Sequence, residues 1–252
     1  GTMKAREAFN RLFRKGQRDT RSSDMEDKLE TQLDKVPPVP AELPLLPLKD
    51  TVVYPMTVYP LVIGKEKSIR LINDITVGDK ILALTAQKKA DTEVAGTGDI
   101  YTIGTMARIL QMVKAPDGTL RVLVQGMERI SITEFVQSEP YIKAKVNANP
   151  VVSEKSVPIE ALMRGLAELF QKMVSLTPNM PEELSTAALN IEDPRQLAYL
   201  VATNIRLDLP QRQEILEIDP VEEKMNRLVQ VLNREIEVLE LGRKIQGQAK
   251  DQ

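Results

Sequence analysis

Short runs rich in apolar and β-branched residues are spaced along residues 43–150, a pattern typical of β-strands. In residues 141–146, apolar side chains alternate with lysines, the two-residue period of a strand that buries one face. Pro116, Asp117 and Gly118 form a turn signal between two runs, because proline presets the turn and glycine accepts a positive φ. The predicted strands are Val52–Tyr54, Lys80–Leu84, Thr105–Val113, Leu120–Val124 and Tyr141–Val146.

One helix interrupts these strands, because the apolar residues from Ile69 to Ile75 follow helical spacing after Gly64. Closely spaced short strands with a single helix predict a small β-barrel or a folded sheet. Residues 151–252 differ, since their apolar positions recur every three or four residues, the spacing of a buried helix face. The predicted fold class is therefore α+β, with a β domain at 43–150 followed by an all-α helical bundle at 151–252.

Prolines mark where the later helices are predicted to begin, because proline fits the first turn of a helix but breaks its interior. A first helix is predicted from the apolar stripe between Ile159 and Val174. Three helices follow at 181–190, 194–206 and 210–218, and a long fifth helix begins at about 220. Asp193 and Asp219 each precede one of these prolines and are predicted helix caps.

The last predicted helix is long for a small bundle. Over residues 220–247 it would be a rod of about 42 Å, more than a five-helix bundle needs, so its end is expected to lead to something else. We expect its apolar stripe to serve assembly and coupling. The candidate coupling residues are Leu228, Leu232, Ile236 and Leu239.

Residues 1–42 are predicted to be a flexible charged tail that ends in a Pro-rich linker. Residues 1–21 carry seven basic and two acidic side chains, whereas residues 22–42 carry two basic and six acidic ones. Pro37, Pro38 and Pro40 make the end of the tail stiff and extended. We expect much of the tail to be disordered unless a partner orders it.

Composition narrows the possible functions. The 252 residues include no His, no Cys and no Trp, which excludes Cys/His zinc sites, disulfides and nucleophilic triads that need His or Cys. The 42% hydrophobic and 28% charged content is typical of a soluble globular protein. No apolar run approaches the roughly 18 residues that span a bilayer. We expect a cytoplasmic protein without membrane contact and, at a net charge of −2, without bulk attraction to nucleic acid.

Catalytic and nucleotide-binding motifs are also missing. Gly96, Thr97 and Gly98 are similar to the start of a dinucleotide-binding loop, but Tyr101 stands in place of the third glycine and no helix is predicted to follow. We interpret this segment as an ordinary loop. Since no P-loop, Gly-x-Ser-x-Gly elbow or Ser-x-x-Lys motif occurs, the chain is expected to be non-catalytic and to bind no cofactor or metal.

The segment around two Tyr-Pro pairs is the candidate binding surface. Pro55 and Pro60 break any regular strand, so a loop or an edge crossing is expected here. Apolar side chains on an irregular surface segment suit contact with exposed hydrophobic peptide. The favoured alternative is that they fold inward and cover the end of the barrel. The candidate substrate-binding residues are Tyr54, Met56, Val58, Tyr59 and Leu61.

Several motifs, in collinear order over about 43–252, resemble the N-terminal region of ATP-dependent Lon proteases of the bacterial LonA type. Each piece is weak alone, but the set is specific. One departure is Met56-Thr57, where family members often carry glycine soon after the Tyr-Pro pair. The matching segments are 43–50, 53–55, 60–61, 64–69, 79–88, 99–101, 103–105, 116–119, 122–126, Arg129, 193–194, 197–198, 235–241 and 244–246.

The resemblance implies a PUA-like β domain, a helical bundle and a long helix that runs into the ATPase ring. In this family the segment captures unfolded, damaged or degron-bearing proteins and helps to organise a hexamer. The ATP and Mg site and the Ser-Lys protease dyad of Lon lie in other domains, so quality-control proteolysis would be the work of the parent protein. The alternative is a nucleic-acid-binding module, in which the PUA-like barrel and the basic tail contact phosphates.

Overall fold

The computed structural model describes residues 36–250, which form two compact units that divide between Pro150 and Val151. The predicted tail lies outside the described residues except for 36–42, whose first six residues form no strand or helix. No helix within 36–250 combines the length and the apolar character that crossing a bilayer requires.

The first unit contains six strands and one helix. The strands are β1 (Glu42–Leu48), β2 (Val58–Ile63), β3 (Ile81–Ala86), β4 (Ile103–Lys114), β5 (Leu120–Gln137) and β6 (Lys143–Ala148). Helix α1 (Glu66–Thr76) connects β2 to β3, and a short 3-10 turn, Thr97–Asp99, precedes β4.

Five of the strands close into a barrel. The strand order is β2-β5-β4-β3-β1-β6, and β5 also pairs with β6, which joins the two sides of the sheet. β5 is 18 residues long and changes register at Ile132/Glu134 and at Phe135/Gln137, irregularities that let a strand bend around a barrel. β2 pairs only with the first part of β5 and is an edge strand.

The apolar residues of β1 and β3 supply two separate core clusters. Leu46 and Leu48 face a cluster with the buried side of α1, whereas Leu43 and Leu45 face a second cluster with Met106. All six residues of β3 are buried, because it is covered on both faces. A strand of this kind has a continuous apolar run rather than an alternating one.

Three strand predictions differ from the structure. Val52–Tyr54 was expected to be a strand, but these buried residues form no ladder. The segment of the two Tyr-Pro pairs was expected to be a loop or edge crossing. Its residues 54–57 are irregular, but from Val58 it forms the edge strand β2, where Pro60 costs little because an edge strand has one unpaired side. β5 continues from Leu120 far past Val124 because its second part pairs with β6.

The second unit is helical, as predicted, and the α+β fold class is confirmed. Its helices are α2 (Val157–Leu176), α3 (Glu183–Asn190), α4 (Pro194–Asn204), α5 (Leu209–Glu217) and α6 (Val221–Lys250). α6 packs against α2 and α4, and Lys172 of α2 forms an ion pair with Glu240 of α6 at 3.0 Å. From Leu241 to Lys250 every residue of α6 is exposed.

Side-chain caps explain where several of these helices begin. Asp193 accepts a hydrogen bond from the backbone N–H of Arg195 at 2.9 Å, which confirms it as the cap of α4. Burial raises the pKa of this carboxyl, but hydrogen bonds from the Arg195 side chain and backbone outweigh burial and hold the pKa below its ordinary value. Asp208 and Gln211 form a reciprocal capping box at the start of α5.

Candidate functional site

Hydrogen bonds hold the segment with the two Tyr-Pro pairs against the barrel. Met56 N–H donates to the Gly126 carbonyl at 2.9 Å, and Gly126 N–H donates to the Thr57 carbonyl at 2.8 Å. The Thr57 hydroxyl donates to the Tyr54 carbonyl, and the Thr105 hydroxyl of β4 donates to the Val53 carbonyl, both at 2.7 Å. Because three hydrogen bonds join it to β4 and β5 and a fourth lies within it, this irregular segment has a defined path across the barrel.

Three of the five candidate substrate-binding residues are buried within the first unit. Tyr54 is only 1% exposed, Leu61 belongs to the core cluster beneath α1, and Val58 is buried in a small cluster with Leu123. They therefore form no exposed surface, and the alternative in which they fold inward describes them correctly. Met56 and Tyr59 are half-buried and stay predictions.

The candidate coupling residues also lie mostly inside their unit. Leu228, Leu232 and Ile236 are buried in the helical unit, and Leu239 is half-buried. These residues supply the contact surface of α6 within the bundle, and their role in assembly and coupling stays a prediction. The exposed apolar residues of α6 come later, at Val238, Leu241 and Ile245.

A cavity of about 540 Å³ opens on the first unit beside β1. Four stretches that are distant in sequence surround it: the second part of β1, the first turns of α1, the loop after β3 and the residues just before β6. Leu45, Leu71 and Ile142 supply buried apolar surface, and Val94 is half-buried. Sequence reasoning missed this site because no single stretch carries a motif for it.

Gln87 shapes one wall of the cavity. Its side-chain amide nitrogen donates to the carbonyls of Lys89, Ala90 and Thr92 at 2.7, 3.1 and 3.2 Å, so one buried residue fixes the start of the loop. Asp99 fixes the end, because its carboxylate accepts the backbone N–H groups of Ala95 and Gly96. These two hydrogen bonds lower the pKa of Asp99, in that order of importance.

Charged side chains of both signs stand around the mouth. Lys67 lies 2.5 Å from the Glu139 carboxylate and 3.7 Å from that of Glu93, and its pKa is raised chiefly by the hydrogen bond to Glu139. Burial, followed by a hydrogen bond with Asp74, raises the pKa of Tyr141. The site therefore combines an apolar floor, a fixed loop and a polar mouth, which suits binding of an apolar group that carries polar flanks.

Comparison with known proteins gives concordant matches. The family model of the ATP-dependent protease La (LON) substrate-binding domain matches residues 42–234 and so extends over both units. The Lon protease of Dictyoglomus thermophilum is 45% identical over 223 residues, which are 88% of this chain and 28% of that protein. Lon protease 1 of Herpetosiphon aurantiacus is 38% identical over 226 residues, again 88% of this chain and 28% of that protein.

Solved structures agree on the fold. The N-terminal domain of Mycobacterium avium complex Lon protease superposes with a TM-score of 0.63 at 22% identity, over 76% of this chain and 98% of that one. The Lon N-terminal domain protein from Xanthomonas campestris gives 0.55 at 19% identity, over 75% and 96%. The chain thus spans about a quarter to a third of the full-length relatives and nearly the whole of these solved domains.

Proposed function

The chain belongs to the family of Lon protease substrate-binding domains, and on that premise we propose that it recognises unfolded or degron-bearing proteins for an ATP-dependent Ser-Lys protease and supports assembly of the hexamer. The match across residues 42–234, in both units, carries this proposal. In this proposal, the site for ATP and Mg and the peptidase dyad belong to other domains of the parent protein.

Recognition is expected to be weak for a single copy. Outside α6, the exposed apolar side chains of the described residues are scattered, and the cavity beside β1 offers an anchor. Most binding energy at protein interfaces comes from a few well-buried anchors. A hexamer presents several copies, so binding of one long unfolded chain at several sites would raise the overall affinity without new contacts.

Binding of one protein in two folding states tests this role. Fluorescently labelled α-lactalbumin, either native or reduced and carboxymethylated, is titrated with the chain and followed by fluorescence anisotropy. The unfolded form is expected to bind at least about tenfold more tightly than the native form. Equal affinity for both forms, or no affinity for either, would contradict substrate recognition by this chain.

The exposed end of α6 supports the proposed role in assembly. Val238, Leu241 and Ile245 are each more than half exposed and follow one another at steps of three and four, so they share one helix face. Exposed apolar residues on one face are typical of a contact with another chain or domain.

Substitution in the full-length parent tests the assembly role. Replacing both Leu241 and Ile245 with Asp is expected to shift sedimentation velocity profiles from hexamer to smaller species, because two charges would enter the contact. The matched control replaces Lys244 and Arg243, which are also exposed, with Asp. If both double variants remain hexameric, the apolar face of α6 has no part in assembly.

A further inference from the structure

The second part of β1 has an open side at the cavity. β6 pairs with β1 only at residues 42–44, and the contact ends where Leu45 N–H donates to the Ile142 carbonyl at 2.9 Å. Residues 46–48 pair with β3 on the other side. Within residues 36–250 no strand pairs with their second side.

The backbone of Pro47 faces that open side. The Leu48 carbonyl accepts the N–H of Gln87, so Leu48 faces the β3 side. Backbone groups of successive strand residues alternate in direction, and Leu45 already faces the β6 side. The Pro47 carbonyl therefore points away from β3, and Pro47 lines the cavity. An extended chain laid here meets a main-chain acceptor.

The cavity beside this edge suits one large apolar side chain. Leu45, Leu71 and Ile142 form buried apolar surface at the points where β1, α1 and the start of β6 approach one another. A volume of about 540 Å³ lies within the usual range of ligand sites, 300–1,000 Å³. Since successive side chains of an added strand point to opposite faces, one of them can enter while its neighbours stay outside.

A buried polar group adds a second acceptor. Gln87 lines the cavity and is 1% exposed. Its amide nitrogen is occupied by three loop carbonyls, which fixes the orientation of the side-chain amide. No described residue donates a hydrogen bond to its carbonyl oxygen, which leaves that oxygen available to a main-chain N–H of a guest.

The charges around the mouth favour an uncharged guest. The lining contains three lysines, Lys49, Lys65 and Lys67, and three acidic residues, Glu66, Asp91 and Glu93. Lys67 is already bridged to Glu93. Equal numbers of both signs produce no net field that would select an acidic or a basic ligand. Selection then depends on the apolar floor.

We propose that an extended polypeptide segment binds along the open side of β1. Its main-chain N–H groups donate to the Pro47 carbonyl and the Gln87 side-chain oxygen, and one of its bulky apolar side chains enters the cavity. This inference rests on the proposed function and specifies the class of substrate feature recognised: an uncharged, unfolded stretch with a large apolar residue. Addition of a guest strand to an open sheet edge is a general mode of peptide recognition.

A short peptide tests the side-chain part. The probe is a fluorescein-labelled, acetylated and amidated peptide of Gly, Ser and Thr with one central Phe. Thr92→Trp, at an exposed position on the cavity loop, is expected to weaken its binding at least about tenfold by filling the mouth. Val77→Trp, at a 90% exposed position outside the cavity lining, is the matched control and should bind the peptide as tightly as the unsubstituted chain does.

Backbone methylation tests the strand part. N-methyl groups are placed singly along the peptide, each of which removes one N–H donor. Binding is expected to fall where an N-methyl group removes the donor to the Pro47 carbonyl or to the Gln87 side-chain oxygen, and to stay unchanged at the adjacent positions, whose N–H groups point away from β1. A uniform response along the peptide would overturn strand addition, and so would unchanged binding at every position.

The outcomes separate this inference from the proposed function. If Thr92→Trp binds unfolded α-lactalbumin and the Phe peptide as tightly as the unsubstituted chain does, the cavity is not the binding site, although substrate recognition stands. If the unsubstituted chain binds no unfolded protein, the proposed function fails. If the peptide does not bind and Thr92→Trp converts a dimer to a monomer, a second copy of the chain occupies the cavity and the inference is wrong.

Discussion

Replacing Gly126 with Ala is expected to lower the free energy of unfolding of the first unit by about 3 kcal/mol, because added side-chain volume in a packed site forces backbone shifts. A Cβ at this position would lie 2.9 Å from the Tyr54 carbonyl carbon and 3.2 Å from the Pro55 Cα, and closer still to the Tyr54 oxygen. All three are backbone atoms. Relief would break the two hydrogen bonds that join Gly126 to Met56 and Thr57.

Gly98→Ala is the matched control for this substitution. A Cβ on Gly98 meets no atom within 4 Å, and Gly98 lies in the same unit. Urea unfolding followed by tyrosine fluorescence reports on the unit, because four of the five tyrosines precede residue 150. The midpoint should fall for Gly126→Ala and change little for Gly98→Ala. Equal midpoints would show that the crossing segment tolerates a shift of its backbone.

Replacing Lys224 with Met is expected to destabilise the helical unit by about 3 kcal/mol, because buried carbonyls would lose a charged donor. Lys224 is fully buried on α6, and its ammonium donates to the carbonyls of Ile215 and Leu216 at 2.5 and 2.8 Å. These carbonyls belong to the last turn of α5, where helical N–H partners run out. The ammonium also lies 5.3 Å from the centre of the Tyr199 ring.

Met keeps most of the volume of Lys, so the substitution isolates the loss of the ammonium group. Lys244→Met makes the same chemical change at an exposed position of the same helix and should alter stability by less than about 0.5 kcal/mol. Urea unfolding followed by circular dichroism at 222 nm measures both. If the two variants unfold at the same urea concentration, removal of a buried ammonium compensates for the lost hydrogen bonds.

Local signals in the sequence were sufficient to predict where most helices begin and end. Pro194 after Asp193 marked the start of α4, and the predicted spans of the three middle helices differ from the observed ones by at most two residues at either end. Strands were harder to predict because their pairing partners lie far away in sequence. β1 contains Pro44 and Pro47, residues that argue against a strand with two partners, yet residues 42–44 pair with β6 and residues 45–48 pair with β3.

The Tyr54 segment and the cavity beside β1 were harder to predict, because both are formed by contacts between residues far apart in sequence. For the apolar residues near Tyr54 the sequence left two interpretations open: an exposed binding surface, since irregular segments usually lie outside, and the favoured inward packing. Gly126, more than seventy residues later, lets the Tyr54 backbone approach the barrel, and no local sequence pattern predicts that contact. The cavity beside β1 is likewise built from separate stretches. The family resemblance, which compares the whole set of motifs, was confirmed by the match over residues 42–234.

The two prolines at the open strand edges have a consequence for aggregation. A protein with the proposed function meets β-forming segments of unfolded chains, and an unpaired strand edge can template the growth of such segments into fibres. Within the described residues, β2 and the end of β1 have an unpaired side, and these stretches contain Pro60 and Pro47. Because proline cannot donate to a ladder, a visiting strand would be held by fewer bonds and released more readily. Each edge then disfavours the seeding of a growing sheet.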